Sequence, residues 1–407
     1  MPAPTLAVDF GTSNTAAAIL EGGAIRRLEI EPGAETLPTA VFFPARGDMR
    51  IGSDAARALI AGDEGRYMRA LKSVLGTPLF HDPRLIAGRR RTLAEIVTAF
   101  LATLKQRAEA QTGHRFTRVL SGRPVHFHTS APDRDQQAEA DLRACYNAAG
   151  FDTVDFLFEP EAAAIASRET QGLGLIVDIG GGTSDFTVFR SGGGTEILAS
   201  HGIRLGGTDF DHAISMDHAM PLLGLGGQLR RTLGEGLLPV PRGIYVDLST
   251  WAMIPFLYAR ETERLVEDMV KHAVDPRALG RLATVITDQL GHDLAFTVEA
   301  GKIAANDGTA RAAIDMAMIE TGLAAPISRT SLNGALSASR EPLTTAIRQT
   351  LFSACIDPMA VETVVLVGGS SLLSLVQDEA RAACPAARLH RSEVFTAVVD
   401  GLALATA

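Results

Sequence analysis

Two segments far apart in the chain follow one plan. The first reads Ala7-Val8-Asp9-Phe10-Gly11-Thr12-Ser13-Asn14-Thr15-Ala16. The second reads Ile176-Val177-Asp178-Ile179-Gly180-Gly181-Gly182-Thr183-Ser184-Asp185-Phe186, its aspartate 169 positions later. Each is an apolar run ending in Asp, then an apolar residue, glycine and a hydroxyl-rich turn that leads back into apolar sequence. The spacing is too long for a solenoid repeat. It suits two related halves of a bilobed molecule.

The residue types carry a definite chemistry. Leu175 to Val177 form a continuous apolar run, as in a strand buried on both faces. Glycines in the following turn let backbone N–H groups approach a bound anion. Thr12, Ser13, Thr183 and Ser184 add hydroxyl donors, and Asp9 and Asp178 at strand ends offer hard oxygens to Mg²⁺ through its retained waters. Two such hairpins facing each other would grip the phosphates of one nucleotide. Either hairpin alone reads equally well as a glycine turn capped by Asp. A third segment, Val364-Val365-Leu366-Val367-Gly368-Gly369-Ser370-Ser371-Leu372, again runs from an apolar strand into glycines and a helix. Bare backbone there could lie against a base and ribose.

These segments, in this order, resemble the actin/hexokinase/DnaK ATPase superfamily, and in particular the nucleotide-binding domain of DnaK-type heat shock protein 70 proteins. Asp9 to Asn14 resembles the family's first phosphate segment and Asp178 to Phe186 its second. Phe158-Glu159-Pro160-Glu161-Ala162-Ala163-Ala164 resembles its Asn-Glu-Pro-Thr-Ala-Ala-Ala junction. Gly206-Gly207-Thr208-Asp209-Phe210-Asp211 resembles its Gly-Gly-x-Asp-Phe-Asp, Leu366 to Ser370 its adenosine segment, and Leu71 to Gly76 its Lys-x-Leu-Ile-Gly stretch. The resemblance implies an α/β fold, two-lobed and actin-like, built from a duplicated ribonuclease-H-like unit with a smaller subdomain inserted in each lobe. Lobe I would cover 1–170, with a subdomain near 39–112 and 383–407 returning to it. Lobe II would cover 171–382, with a subdomain near 216–310.

The same resemblance assigns roles. ATP or ADP with Mg²⁺ would be the ligand, with Asp9 and Asp178 on the metal. Gly11, Thr12, Ser13, Asn14, Gly180, Gly181, Gly182 and Thr183 would cradle phosphates, together with Gly206 and Gly207. Gly368, Gly369 and Ser370 would meet the adenosine, and Glu299 and Lys302 the ribose. Lys72 and Glu159 would position the attacking water near the terminal phosphate, with Asp185 and Thr183 completing the catalytic set. Ile303 departs from the family's pattern, standing where many members stack an arginine on the base. The chain stops at a segment resembling the last helix of the ATPase domain, so an ATPase module without the peptide-binding domain, a short YegD-like member, is expected. Slow ATP hydrolysis coupled to an unknown partner follows as the expected function. A non-catalytic ATP sensor, an actin-like filament protein and a small-molecule kinase are the rivals.

Composition narrows the partners. The chain has 407 residues and 38 basic against 47 acidic side chains, a net charge of −9. That balance argues against general affinity for nucleic acid or an anionic membrane. Three scattered cysteines without metal-ligand spacing suit a reducing compartment, and neither a secretory signal nor an 18-residue apolar span is visible, so a cytoplasmic protein is expected.

Local patterns predict helices over 92–111, opened by a Thr92/Glu95 capping box, and over 133–149, closed by Gly150. Asp247 to Lys271 reads as one helix with Trp251, Ile254, Leu257 and Tyr258 on an apolar stripe. Core packing is the plainer role for that stripe, and a partner surface the sharper one. The segment from Leu222 to Leu282 fits the family least. His126 and His128 alternate as if on a strand, without a third ligand for a metal, and Arg89-Arg90-Arg91 reads as a solvated loop.

Overall fold

A computed structural model describes residues 4–86, 88–128, 131–166, 172–192, 195–232, 234–391 and 396–407. The chain divides into two compact units, Met1–Gly207 with Ser339–Ala407, and Thr208–Ala338. The lobe boundary expected at 170/171 lies outside the described residues.

The first unit carries two sheets of identical plan. Strands β1 (Leu6–Phe10), β2 (Asn14–Glu21), β3 (Ala24–Arg27), β4 (Arg118–Arg123) and β5 (Thr153–Phe158) form one sheet in the order β5-β4-β1-β2-β3, with Thr36–Pro38 adding to β2. Strands β6 (Gly172–Ile179), β7 (Ser184–Ser191), β8 (Thr195–Ile203), β9 (Thr363–Val367) and β10 (Arg388–Arg391) form the other in the order β8-β7-β6-β9-β10. In both, the first strand is antiparallel to the second and parallel to the fourth, which is parallel to the fifth. The duplication legible in the two Asp-Gly segments is thus a duplication of whole sheets.

Helices Glu159–Ala166 and Ala397–Leu404 pack in one apolar cluster with residues of both sheets, among them Ala7, Ala16, Ile176 and Val365. A Cβ on Gly401 would lie 1.7 Å from the Ala162 carbonyl oxygen, so the helices meet with no side chain between them. Leu175, Ile176 and Val177 of β6 are completely buried. Each contributes roughly 1.5–3 kcal/mol relative to an exposed position.

The helix Leu93–Thr112 opens as its pattern predicts. Glu95 N–H donates to Thr92 Oγ1 at 3.1 Å, and Thr92 N–H donates to Glu95 Oε2 at 2.8 Å. Gly113 ends it at φ +72°. Its inner face brings Phe100 against Phe10, ring centroids 5.8 Å apart, which braces β1 beside Asp9. The second predicted helix spans Pro132–Ala148.

Three local expectations are corrected. Asp247 to Lys271 is not one helix: it comprises a helix at Gly243–Leu248, a tight turn at Ile254–Phe256 and a helix at Arg260–His272. Pro255 in its midst lacks an N–H and clashes with the carbonyl four residues back. His126 and His128 are not on a strand, because β4 ends before Pro124, which cannot donate to a ladder. His128 Nε2 instead bonds the Leu75 carbonyl at 2.7 Å. Arg89–Arg91 is a short strand paired with Arg84–Ile86 rather than a loop, and Arg91 lies over the Phe43 ring.

The second unit is mainly helical, with Arg260–His272, Pro276–Thr287 and Gly291–Asn306 as its longer helices. Among the described residues no helix is long and apolar enough to cross a membrane.

Candidate functional site

The two Asp-Gly turns close with the same hydrogen bond. Gly11 N–H donates to Asn14 O at 3.0 Å, and Gly180 N–H donates to Thr183 O at 3.0 Å. They face each other closely. A Cβ on Gly181 would lie 2.5 Å from Ser13 Oγ and 2.9 Å from Thr12 Cβ, and one on Gly182 would lie 3.2 Å from Thr12 Oγ1. Other glycine segments join them. A Cβ on Gly206 would lie 2.6 Å from the Gly182 nitrogen, and one on Gly207 would lie 2.5 Å from Ser370 Oγ. Gly368, at φ +78°, passes so near Ile179 O and Asp178 Oδ1 that a Cβ would come within 2.3 and 2.9 Å. Four segments distant in sequence therefore meet as nearly bare backbone. Main chain so bare, with the Thr12 and Ser13 hydroxyls beside it, suits the approach of an anion.

The acids gather beside it. In the β6–β7 register Asp178 stands directly opposite Asp185, whereas the matching position opposite Asp9 is Ala16. The second half of the duplication has one carboxylate more than the first. Asp185 Oδ1 accepts from Val125 N–H at 2.8 Å, and Thr183 also hydrogen-bonds this carboxylate. Gly202 leaves room for it, since a Cβ there would lie 2.5 Å from Asp185 Oδ1.

One cation answers this negative charge directly. Lys72 sits on a tight turn, Leu71–Val74, that follows Ala70 at φ +60°. Its Nζ donates to Glu159 Oε1 at 2.6 Å, at the junction of β5 and the Glu159–Ala166 helix. Burial, and then the Glu159 charge, pushes Asp9 up to about 7, with Lys72 pulling the other way. Burial and Glu159 also raise Asp185 to about 8, and Asp178 well above the carboxylate range. Two like charges facing each other across strands cannot both ionise without a counter-cation.

The expected ribose residues lie in the second unit, on the helix Gly291–Asn306. Lys302 is buried there, with Nζ 2.7 Å from Asp211 Oδ1, while Asp211 Oδ2 accepts from the Trp251 indole N–H at 3.2 Å. Glu299 is near enough for its charge to raise the proton affinity of Asp211, after the larger effect of burial. Ile303 is half exposed. Trp251 itself is buried, as are Ile254 and Leu257, so the indole serves the core. A protein partner would have to meet other residues of this segment. Sequence reasoning gave Asp211 no role, although the last position of Gly-Gly-x-Asp-Phe-Asp marked it. The Val125 N–H carries no side-chain signature and could not have been found.

Sheet duplication and facing phosphate-type hairpins define the actin-like ATPase fold. The family model described as Hsp70 protein matches residues 5–222, and the chain belongs to that family. It is 34% identical over 220 residues to the chaperone protein DnaK of Methanothermobacter thermautotrophicus, covering 51% of this chain and 35% of that one. It is 32% identical over 222 residues to the chaperone protein DnaK of Cenarchaeum symbiosum, covering 52% and 32% respectively. The chain spans about a third of the length of these curated relatives.

Proposed function

We propose that the chain is an ATP-driven switch that binds Mg-ATP and hydrolyses it slowly. The observation that carries this reading is the approach of the two glycine hairpins, with the Lys72–Glu159 pair and three aspartates beside them. The backbone N–H of Gly182, with the hydroxyls of Thr12 and Ser13, binds phosphate oxygens, while the Gly180 N–H stays on Thr183 O. The Lys72 ammonium faces the terminal phosphate and offsets charge that grows on it during transfer. Glu159 fixes that ammonium and helps to orient a water. Asp185, held by the Val125 N–H and by Thr183, helps to orient that water. Attack at the terminal phosphorus breaks its bond to the bridging oxygen and yields ADP and phosphate.

Magnesium fits the donor set. Among the described residues no cluster of three or more His, Cys, Asp or Glu side chains could hold a metal by itself. Asp9 and Asp178 provide two hard-oxygen ends on matched strands, which suits an ion that keeps several waters and takes phosphate oxygens. Bound there, it would neutralise phosphate charge. Glu299 and Lys302 remain assigned to the ribose by resemblance.

Phosphate release from Mg-ATP, wild type beside Lys72→Ala, tests the reading. Slow turnover that the variant loses supports it. Nucleotide binding without turnover in either protein replaces it with an ATP sensor.

A further inference from the structure

The second unit carries an open surface pocket of about 610 Å³ that takes no part in the proposed nucleotide site. That volume lies within the usual range of small-molecule sites. One wall comes from the helix Gly207–Ile214 and the turn after it, where the winding widens and Met220 N–H bonds the Ser215 carbonyl five residues back. Such widened turns are rare and recur at functional sites. This one supplies Met216 and Asp217, with His212 one turn earlier. Leu225, Val240 and Arg242 of the lining lie beyond residue 222, where the match to the family model ends.

The lining has two characters. Met216, Leu225 and Val240 give an apolar floor. Arg242 is exposed at the rim, and among the described residues no carboxylate pairs with it. Asp217, the acid in the lining, is exposed and lies 3.3 Å from His218 Nδ1 without a hydrogen bond to it. His212 bonds Thr250 Oγ1 through Nδ1 at 3.3 Å, which leaves Nε2 to serve a ligand. An apolar floor below an uncommitted guanidinium selects an apolar group that ends in an anion.

We propose that this pocket binds a small amphipathic carboxylate, its apolar part on Met216, Leu225 and Val240 and its carboxylate on Arg242. The carboxylate comes either from a free acid or from the C-terminus of a short apolar peptide. Isothermal titration of the full chain tests the site with octanoate and its neutral isostere octanamide. An acetylated tripeptide ending in leucine, as free acid and as amide, forms a second arm that separates the two sources. At least one acid is expected to bind saturably and about tenfold more tightly than its amide, the worth of one charge-assisted contact. Arg242→Gln, at an exposed position, should fold normally and abolish that preference. Met216→Trp should fill the floor and remove binding of acid and amide alike. No saturable heat with either acid at millimolar concentration overturns the proposal. So does equal affinity for acid and amide, or an acid preference that survives Arg242→Gln. ATP binding plays no part in these readouts, so the site stands or falls apart from the nucleotide reading.

Discussion

Lys72 Nζ lies 2.6 Å from Glu159 Oε1, with side chains only 7% and 12% exposed, and this pair joins a tight turn to the start of a helix 87 residues on. A buried ammonium held by a single carboxylate is committed electrostatically, and removing it leaves Glu159 among three aspartates. We expect Lys72→Ala to lower the rate of phosphate release by about 10²–10³, the usual effect of deleting one transition-state donor. Urea unfolding should show a loss of roughly 3 kcal/mol from the orphaned carboxylate. Unchanged turnover would remove Lys72 from the chemistry.

Neighbouring glycines in one turn should respond differently to alanine. A Cβ on Gly181 meets Ser13 Oγ at 2.5 Å, whereas one on Gly180 has nothing nearer than Thr183 O at 3.8 Å. Gly181→Ala should lower the thermal midpoint, with a cost of roughly 1–3 kcal/mol for overpacking. It should also weaken ATP binding. Gly180→Ala should leave the midpoint within a degree or two of wild type. Equal midpoints for the two variants would contradict the close approach of the hairpins.

Most of the first unit could be read from the chain because its signals are local. The Thr92/Glu95 box, Gly113 and the apolar run of β6 act within a few residues, so strand and helix followed from them. The Asp-Gly pair announced the duplication, although only the sheet order shows that the fourth and fifth strands repeat as well. Tertiary partners were invisible. Nothing near Asp185 in sequence points to Val125, and nothing around Lys302 points to Asp211. At Asp247 to Lys271 the helical periodicity of the apolar stripe outweighed Pro255 in the sequence reading, and in the fold Pro255 prevailed.

The Trp251–Asp211–Lys302 chain makes an asymmetric prediction. Asp211→Ala strands a buried ammonium and should cost about 3–5 kcal/mol. Replacing both partners, Asp211→Leu with Lys302→Met, removes the charges together and should recover most of that loss. Urea denaturation of the single and double variants measures the difference. Intrinsic fluorescence, which reports the chain's one tryptophan, should shift in both.

Acid stability should depend on Glu320. Arg281 and then Arg277 pull its carboxyl down to about 2 from an ordinary value near 4.5, and Arg281 Nε lies 2.7 Å from Glu320 Oε2. A depressed folded-state value means that the stabilisation is complete above about pH 4.5 and is lost as pH falls towards 2. Glu320→Gln should therefore melt slightly below wild type at pH 6, and the two should converge near pH 2. The effect is small, because these side chains meet solvent. Parallel midpoints across that range would show that the arginines do not hold this carboxylate.

The contact between Gly401 and the Ala162 carbonyl bears on the order in which the chain can mature at the ribosome. Strands β1 to β8 emerge before the Ala397–Leu404 helix that shares their apolar cluster. Until Leu404 has left the exit tunnel, the cluster around Ala7, Ala16 and Ile176 lacks one of its walls, and β6 lacks its neighbour β9 until residue 367 is made. A nascent chain therefore carries that apolar surface uncovered until the last helix docks, and completion of the first unit depends on contacts distant in sequence.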